Sequence, residues 1–444
     1  MRGWTTGWVA GWALAFAAPA FADAAPASRE VQSAVDAYLA SARADTSLVG
    51  GAGQAGYDGG FWIRGGSFLM KINLTLQTRW EGYDWDDTAF EPSPGGDLSG
   101  FSLPRATLKF SGQATCDVRY YAELEFGHAG MAPMGMMMEP IEETHPEWGT
   151  LREGWIDYTF SDAFAVRMGL VKLATTRQLM TPPEMQQFVD VSMAAASIGS
   201  MMPGYTDRNR DYGVMFHGSF GCDGAWSWLA TITNGDGAFH RNVLDGETND
   251  NFAYSARVNW DVIGHVGYEE CALNHHECEW RLAVGAWGFG YANVVQDQDH
   301  VTKGNEWYAG VDVAGGYGGF SFCAAYTYGE LKDGDPGYVD ETSACWCVQV
   351  GYLFPGTAWE VAARYSLITM DMGTGPGQMT EGAHEIGVAV NYFIDGHADK
   401  LTLDVAFLSP DDDGEFMFSD TYAGYNILGD SDAVLVRLQW QLAL

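Results

Sequence analysis

Beyond residue 22 the 444-residue chain has no long uncharged apolar run, so it offers no helix of the roughly 20 apolar residues that a membrane span needs. If it enters a membrane, it does so as strands. Positive charge is also scarce. Lys and Arg number 23 against 58 Asp and Glu, for a net charge of -35, and only six of the cations are lysines. A chain this acidic repels phosphodiester backbones, which excludes nucleic acid as a partner. Asp411 to Glu415 lacks the full ligand spacing of an EF-hand loop. By strand parity neither His217 nor His384 has a serine partner on an adjacent strand, so a lipid-facing hydrolase is not expected. No cofactor is expected.

What the chain does have is glycine (56) and aromatics, with 21 Tyr, 17 Trp and 23 Phe, a composition that suits strands, tight turns and aromatic girdles. Met1–Ala22 reads as a signal peptide: Arg2, an apolar stretch from Gly7 to Ala20, and Ala20-Phe21-Ala22 as a small-x-small cleavage site. Residues 23–60 form a separate N-terminal periplasmic segment. Val31, Val35, Tyr38 and Leu39 at helical spacing predict a short amphipathic helix, and Gly50 to Gly60 a glycine-rich linker. Seven cysteines cannot all pair within one molecule. Cys271 to Cys278, with His275 and His276 between them, leaves a disulfide, free thiols or a soft-metal site open.

From residue 61 to 444 the pattern has period two. The final segment is the clearest case: Val434, Val436, Leu438, Trp440, Leu442 and Leu444 share one face, and Arg437, Gln439, Gln441 and Ala443 the other. In the first segment Met70, Ile72, Leu74 and Leu76 oppose Lys71, Asn73, Thr75, Gln77 and Arg79. Sixteen such segments can be counted, with short connections alternating with long polar ones. One short-side connection, His265 to Glu277, is longer than expected. An even number of strands with alternating loop lengths predicts an all-β fold, a transmembrane antiparallel β-barrel of about 16 strands.

The terminal Arg437-Leu-Gln439-Trp-Gln441-Leu442 strand resembles that of the phosphate-selective porin O/P family of outer-membrane channels. Leu103-Pro-Arg105-Ala-Thr-Leu108 resembles the family's second strand, Arg167-Met-Gly169-Leu-Val-Lys172 the approach to its third external loop, and Arg210-Asp-Tyr-Gly213 the strand leaving that loop. Thr233-Asn-Gly235, Arg364-Tyr-Ser366, Asn391-Tyr-Phe-Ile-Asp-Gly396 and Lys400-Leu-Thr-Leu-Asp404 follow in the family's order. The resemblance implies a porin in the outer membrane of a Gram-negative-type bacterium. It also implies a homotrimer, with outer-membrane lipid, lipopolysaccharide, and small ions and solutes as its partners.

A porin selects by the charges at its wall and constriction. By parity Lys71, Arg79, Arg105, Lys109, Arg119, Arg167, Arg257, Arg281, Arg364 and Arg437 face water. So do Glu81, Glu123, Glu125, Asp157, Asp211, Asp261, Glu279, Asp312, Glu360, Glu385 and Asp404, which makes the wall nearly balanced. Connection 173–208 is the candidate constriction loop, with Lys172 at its start, Arg177, Glu184, Asp190 and Arg208 along it, and Pro182-Pro183 to stiffen its path. The surplus acid falls in the other loops, which would draw cations to the mouth. The expected function is therefore passive diffusion, general or cation-preferring. A phosphate or oxyanion channel and a plugged structural or adhesive barrel are the alternatives. Met131, Met134, Met136, Met137 and Met138, near His128 and His145, could hold Cu(I).

Overall fold

A computed structural model describes residues 53–85, 98–127, 150–201, 209–235, 252–275, 277–294, 304–332, 341–372, 379–411, 418–420, 425–427 and 432–444. The chain divides into Met1–Gln54, almost all of it outside the described residues, and Ala55–Leu444. The signal peptide, the predicted N-terminal helix, the methionine cluster and Arg208 also lie outside them.

Sixteen strands form the wall. They are β1 (Phe68–Trp85), β2 (Leu98–Gln113), β3 (Val118–Glu125), β4 (Thr150–Ser161), β5 (Phe164–Lys172), β6 (Arg210–Phe220), β7 (Trp226–Thr233) and β8 (Ala253–Ile263) in the first half. The second half is β9 (Arg281–Val294), β10 (Gly304–Tyr317), β11 (Phe320–Lys332), β12 (Glu341–Leu353), β13 (Trp359–Met372), β14 (Met379–Asp395), β15 (Asp399–Pro410) and β16 (Ala433–Ala443). Each pairs antiparallel with the next. β16 pairs with β1 from Ala433↔Trp85 to Ala443↔Thr75, which closes the ring. Leu444 extends the seam, exchanging two backbone bonds with Leu74 at 2.8 and 3.1 Å. A short strand, Phe61–Gly65, pairs with the start of β1.

Period two becomes inside and outside. In β14, Ile386, Val388 and Ile394 are 56%, 49% and 51% exposed, whereas Glu385, Ala389 and Asn391 are buried. A water-soluble fold would reverse this, so the apolar face is the lipid face. Aromatic rings crowd the short-turn end: Trp226 stacks on Trp260 at 4.9 Å, Trp280 on Tyr317 at 5.0 Å, and Trp359 lies 4.6 Å from Tyr392. These are the side chains that suit a membrane–water boundary.

The wall departs from expectation in two places. β1 runs on to Trp85, beyond the predicted end near Trp80. The inner face is also not polar throughout, since Ile368, Ala383 and Leu435 point inward and are fully buried at the long-loop end. Among the charges expected to face water, Glu279 lies in the turn before β9, Arg281 bonds Glu277 at 3.2 Å, and Asp261 turns to His265 at 2.6 Å. All seven cysteines are free thiols; Cys271 is buried and Cys278 exposed.

Replacing Val388 with Arg, near the middle of β14, should lower stability by about 2–4 kcal/mol, read from urea unfolding of the protein in lipid vesicles.

Candidate functional site

The third long connection turns into the barrel. After β5, residues 173–201 form α1 (Arg177–Met180), a 3₁₀ turn at Pro183–Met185, an irregular bent stretch, and α2 (Met193–Met201). α2 is Met-Ala-Ala-Ala-Ser-Ile-Gly-Ser-Met, rich in the residue with the best helix propensity. Ser192 caps it, its Oγ accepting from Ala195 N at 3.2 Å, and Glu385 Oε2 accepts from Met193 N at 2.8 Å. The helix packs on the apolar inner patch with Leu173, Leu179, Ile368, Ala383 and Leu435. This explains why that part of the wall is not polar.

The irregular, repeatedly bent stretch 186–190 crosses the inner wall, and each of its residues is held. Gln186 O accepts from Lys400 Nζ at 2.7 Å. Gln187 Nε2 donates to Glu360 at 2.8 Å and Ser321 at 3.1 Å, and its two oxygens accept from Gln349 and Asn391. Phe188 lies 4.1 Å beneath the Arg364 guanidinium, and Val189 N donates to Asp404 at 3.0 Å. Asp190 accepts from Arg105 at 2.8 Å and Arg79 at 3.4 Å, while its backbone oxygen accepts from Arg364 at 2.9 Å.

The short-turn end supplies a second lumenal piece, the over-long connection 264–280. Glu270 N donates to Met185 O at 3.1 Å, and its carboxylate accepts from Gln187 N and Gln349 Nε2 at 3.1 and 3.0 Å. Cys271 Sγ donates to Gln186 O, Ala272 N to Glu360, and Arg177 to Gly267 O. The β8–β15 side of the lumen is therefore filled from both ends. Glu270 and Gln187 are residues that strand parity could not single out; for Glu270 the sequence signal was the anomalous length of 264–280.

On the filled side the arginines are compensated. Arg257 pairs with Asp312 at 2.7 Å, Arg364 with Glu385 at 2.6 Å, and Arg437 with Asp404 at 2.7 Å, all fully buried. The opposite sector, β1–β6, is mixed: Arg79, Arg105, Glu123, Glu125, Arg152, Asp157, Arg210 and Asp211 are buried, while Lys109, Glu184, Glu153 and Arg167 keep some exposure. There Lys109 pairs with Glu184 at 2.6 Å, Arg167 with Asp157 at 3.0 Å, and Arg210 with Glu153 at 3.4 Å, while Arg152 lies 3.3 Å from Glu123 and 3.8 Å from Glu125. Asp211 is taken up by the backbone N–H groups of Tyr212 and Gly235. Lys71, Arg119 and Lys172 have no hydrogen-bond or ion-pair partner among the described residues, and Arg119 is exposed.

His384, expected to have no catalytic partner, lies on the outer face between Tyr365 OH at 2.8 Å and Asp411 at 3.1 Å. Ser409 faces it in register, but no bond joins the two among the described residues.

A closed barrel with an apolar belt, an aromatic boundary and a lumen entered by its third long loop is an outer-membrane porin. In fold the chain is similar to the anion-selective porin from Comamonas acidovorans, at 11% identity and a TM-score of 0.56, with 84% of this chain and 99% of that one covered. It is also similar to the outer-membrane expressed OmpT of Vibrio cholerae, at 8% identity and a TM-score of 0.52, over 86% and 99% of the two chains. OmpF of Salmonella typhi, in its complex with daunomycin, gives 11% and 0.52 over 88% and 100%. No curated protein matches the chain. The family model described as phosphate-selective porin O and P matches residues 76–277. That match covers a little under half of the chain and takes in the motifs at 103–108, 167–172, 210–213 and 233–235; the barrel resides in the outer membrane of a Gram-negative bacterium.

Two outcomes follow from the lumenal anchors. Asp190→Ala leaves the Arg79 and Arg105 guanidiniums buried without their shared carboxylate, an expected loss of about 3–5 kcal/mol. Cys345 and Cys347, buried behind Ser197 and Ser192 of the inward loop, should then become reactive to maleimide, as mapped by peptide mass spectrometry. Burial would lift the Glu184 carboxyl, but the Lys109 ammonium and a backbone N–H hold it below the usual glutamate value. A carboxyl depressed in the folded state stabilises above its unfolded value, about pH 4.3, and this stability is lost as pH falls through the lower folded value. Acid should therefore lower the urea midpoint more in the wild type than in Glu184→Gln.

Proposed function

We propose that this porin is a diffusion channel favouring small anions, through a passage displaced towards β1–β6. The observation that carries this reading is charge matching. The inward carboxylates Glu81, Glu123, Glu125, Glu153 and Asp157 each lie beside an arginine, while Lys71 and Arg119 have no acidic partner among the described residues. A wall with unmatched cations concentrates anions in a narrow aqueous path. The family description supports phosphate and other oxyanions as the natural class. Trimeric assembly follows the same resemblance, and neither the fold nor the family supports an enzyme.

The cation-preferring reading has one observation in its favour, the net charge of -35. Most of the loop acids behind it, Asp245 to Asp250, Asp333, Asp335 and Asp412 to Glu415, lie outside the described residues. Reversal potential in a planar bilayer under a potassium chloride gradient separates the readings. Chloride should permeate more readily than potassium, and Arg119→Gln should move the reversal potential towards the potassium value. Potassium preference in the wild type would assign selectivity to the loops. Absence of any conductance would mean a plugged barrel.

A further inference from the structure

The inner wall at β3–β5 holds an arrangement that ion selectivity alone does not require. Tyr121, Trp155 and Arg167, on β3, β4 and β5, form a lumenal stack. The Tyr121 and Trp155 rings are 5.5 Å apart and 19° from parallel, and the Arg167 guanidinium carbon sits 3.6 Å over the Trp155 ring. Arg167 Nε and Nη2 both point to Asp157 Oδ2 at 3.0 Å, and His217 Nε2 lies 2.6 Å from the same oxygen. Much of the in-plane donor edge of Arg167 is thus committed, with one side of the group on Trp155. Its side chain is still 21% exposed. The opposite planar face is what remains for a ligand, and a guanidinium face prefers flat π-systems.

Two further features fit a ligand there. Arg119, Asp157 and Arg167 are consecutive partners in register, which places the Arg119 backbone two strand spacings, about 10 Å, from that of Arg167. Arg119 is exposed and has no ion pair or side-chain hydrogen bond among the described residues, which leaves its donors to a carboxylate. Beside Trp155 in register stand Gly169 and then Gly213, so two adjacent strands contribute no side chain at that level. Gly169 has φ +141°, and a Cβ there would come within 2.2 Å of Gly154 O, so the gap is built into the backbone.

We propose that this stack is a binding site for planar aromatic carboxylates, the ring lying on the free face of Arg167 and the carboxylate on Arg119. This deepens the anion-channel reading by naming an organic class for the same passage. The test uses the full-length protein in planar bilayers, with benzoate, cyclohexanecarboxylate and inorganic phosphate as blockers of chloride current. Benzoate and cyclohexanecarboxylate share charge and size but differ in flatness. Benzoate should half-block at about three- to tenfold lower concentration than cyclohexanecarboxylate. Arg119→Gln should weaken both carboxylates, whereas Arg167→Lys, which keeps the charge but removes the planar face, should erase the difference between them. Heat-modifiable mobility in detergent gels confirms that each variant is folded. Equal half-blocking concentrations in the wild type, or a preference that survives Arg167→Lys, would overturn the site even in an anion-selective channel. Block stronger by phosphate than by benzoate would assign the cluster to inorganic anions instead. A potassium-selective channel that still prefers benzoate to cyclohexanecarboxylate would overturn the anion reading and leave the site standing.

Discussion

The hydrocarbon core of a membrane contains no water, so every backbone N–H and C=O within it must find a partner in the protein. The ring of sixteen strands satisfies this only because β16 returns to β1, with eleven residues of each in register and Leu444 bonded to Leu74 beyond them. Without that seam both strands would present open edges to lipid. Closure also sets the parity of the wall, because each strand inherits its register, and so its inward face, from its neighbour.

Closure leaves a space too wide for wall side chains to fill, and the chain fills part of it with its own backbone. Residues 173–201 enter from the long-loop end and 264–280 from the short-turn end. They meet at Gln187, Glu270 and Met185, where backbone and amide bonds replace the water that each group would otherwise hold. Burying so many arginines is tolerable because each is matched: Asp190 to Arg79 and Arg105, Glu385 to Arg364, Asp404 to Arg437, Asp312 to Arg257. Arg79 and Arg105 stand on β1 and β2, so the inward loop spans the lumen from β8 round to the first two strands, and Lys71 and Arg119 are left without an ion pair among the described residues.

Much of this was legible along the chain. Alternation in Val434 to Leu444 identified the last strand and its lipid face, and Pro355-Gly356 and Asp395-Gly396 identified tight turns. The inward parity of Arg79, Arg105, Arg257, Arg364 and Arg437 followed from the same rule, since a two-residue period survives any global arrangement of the sheet. Parity could not tell a side chain that meets water from one that meets another segment. Ile368 and Ala383 therefore read as faults in a polar face until α2 covered them. Arg364 and Arg119 looked alike in sequence, yet one is buried against Glu385 and the other stands free.

Sequence alone determined that the chain spans a membrane as strands, how many there are, and which face of each meets lipid, because these depend on local period, turn residues and the absence of long apolar runs. Tertiary structure decided which half of the lumen is filled, which cations keep a partner, and that Tyr121, Trp155 and Arg167 form one stack. Those outcomes depend on contacts between residues tens to hundreds of positions apart, such as Gln441 with Glu184 or Arg79 with Asp190. No local pattern encodes the distance between such groups; only the closed ring brings them together.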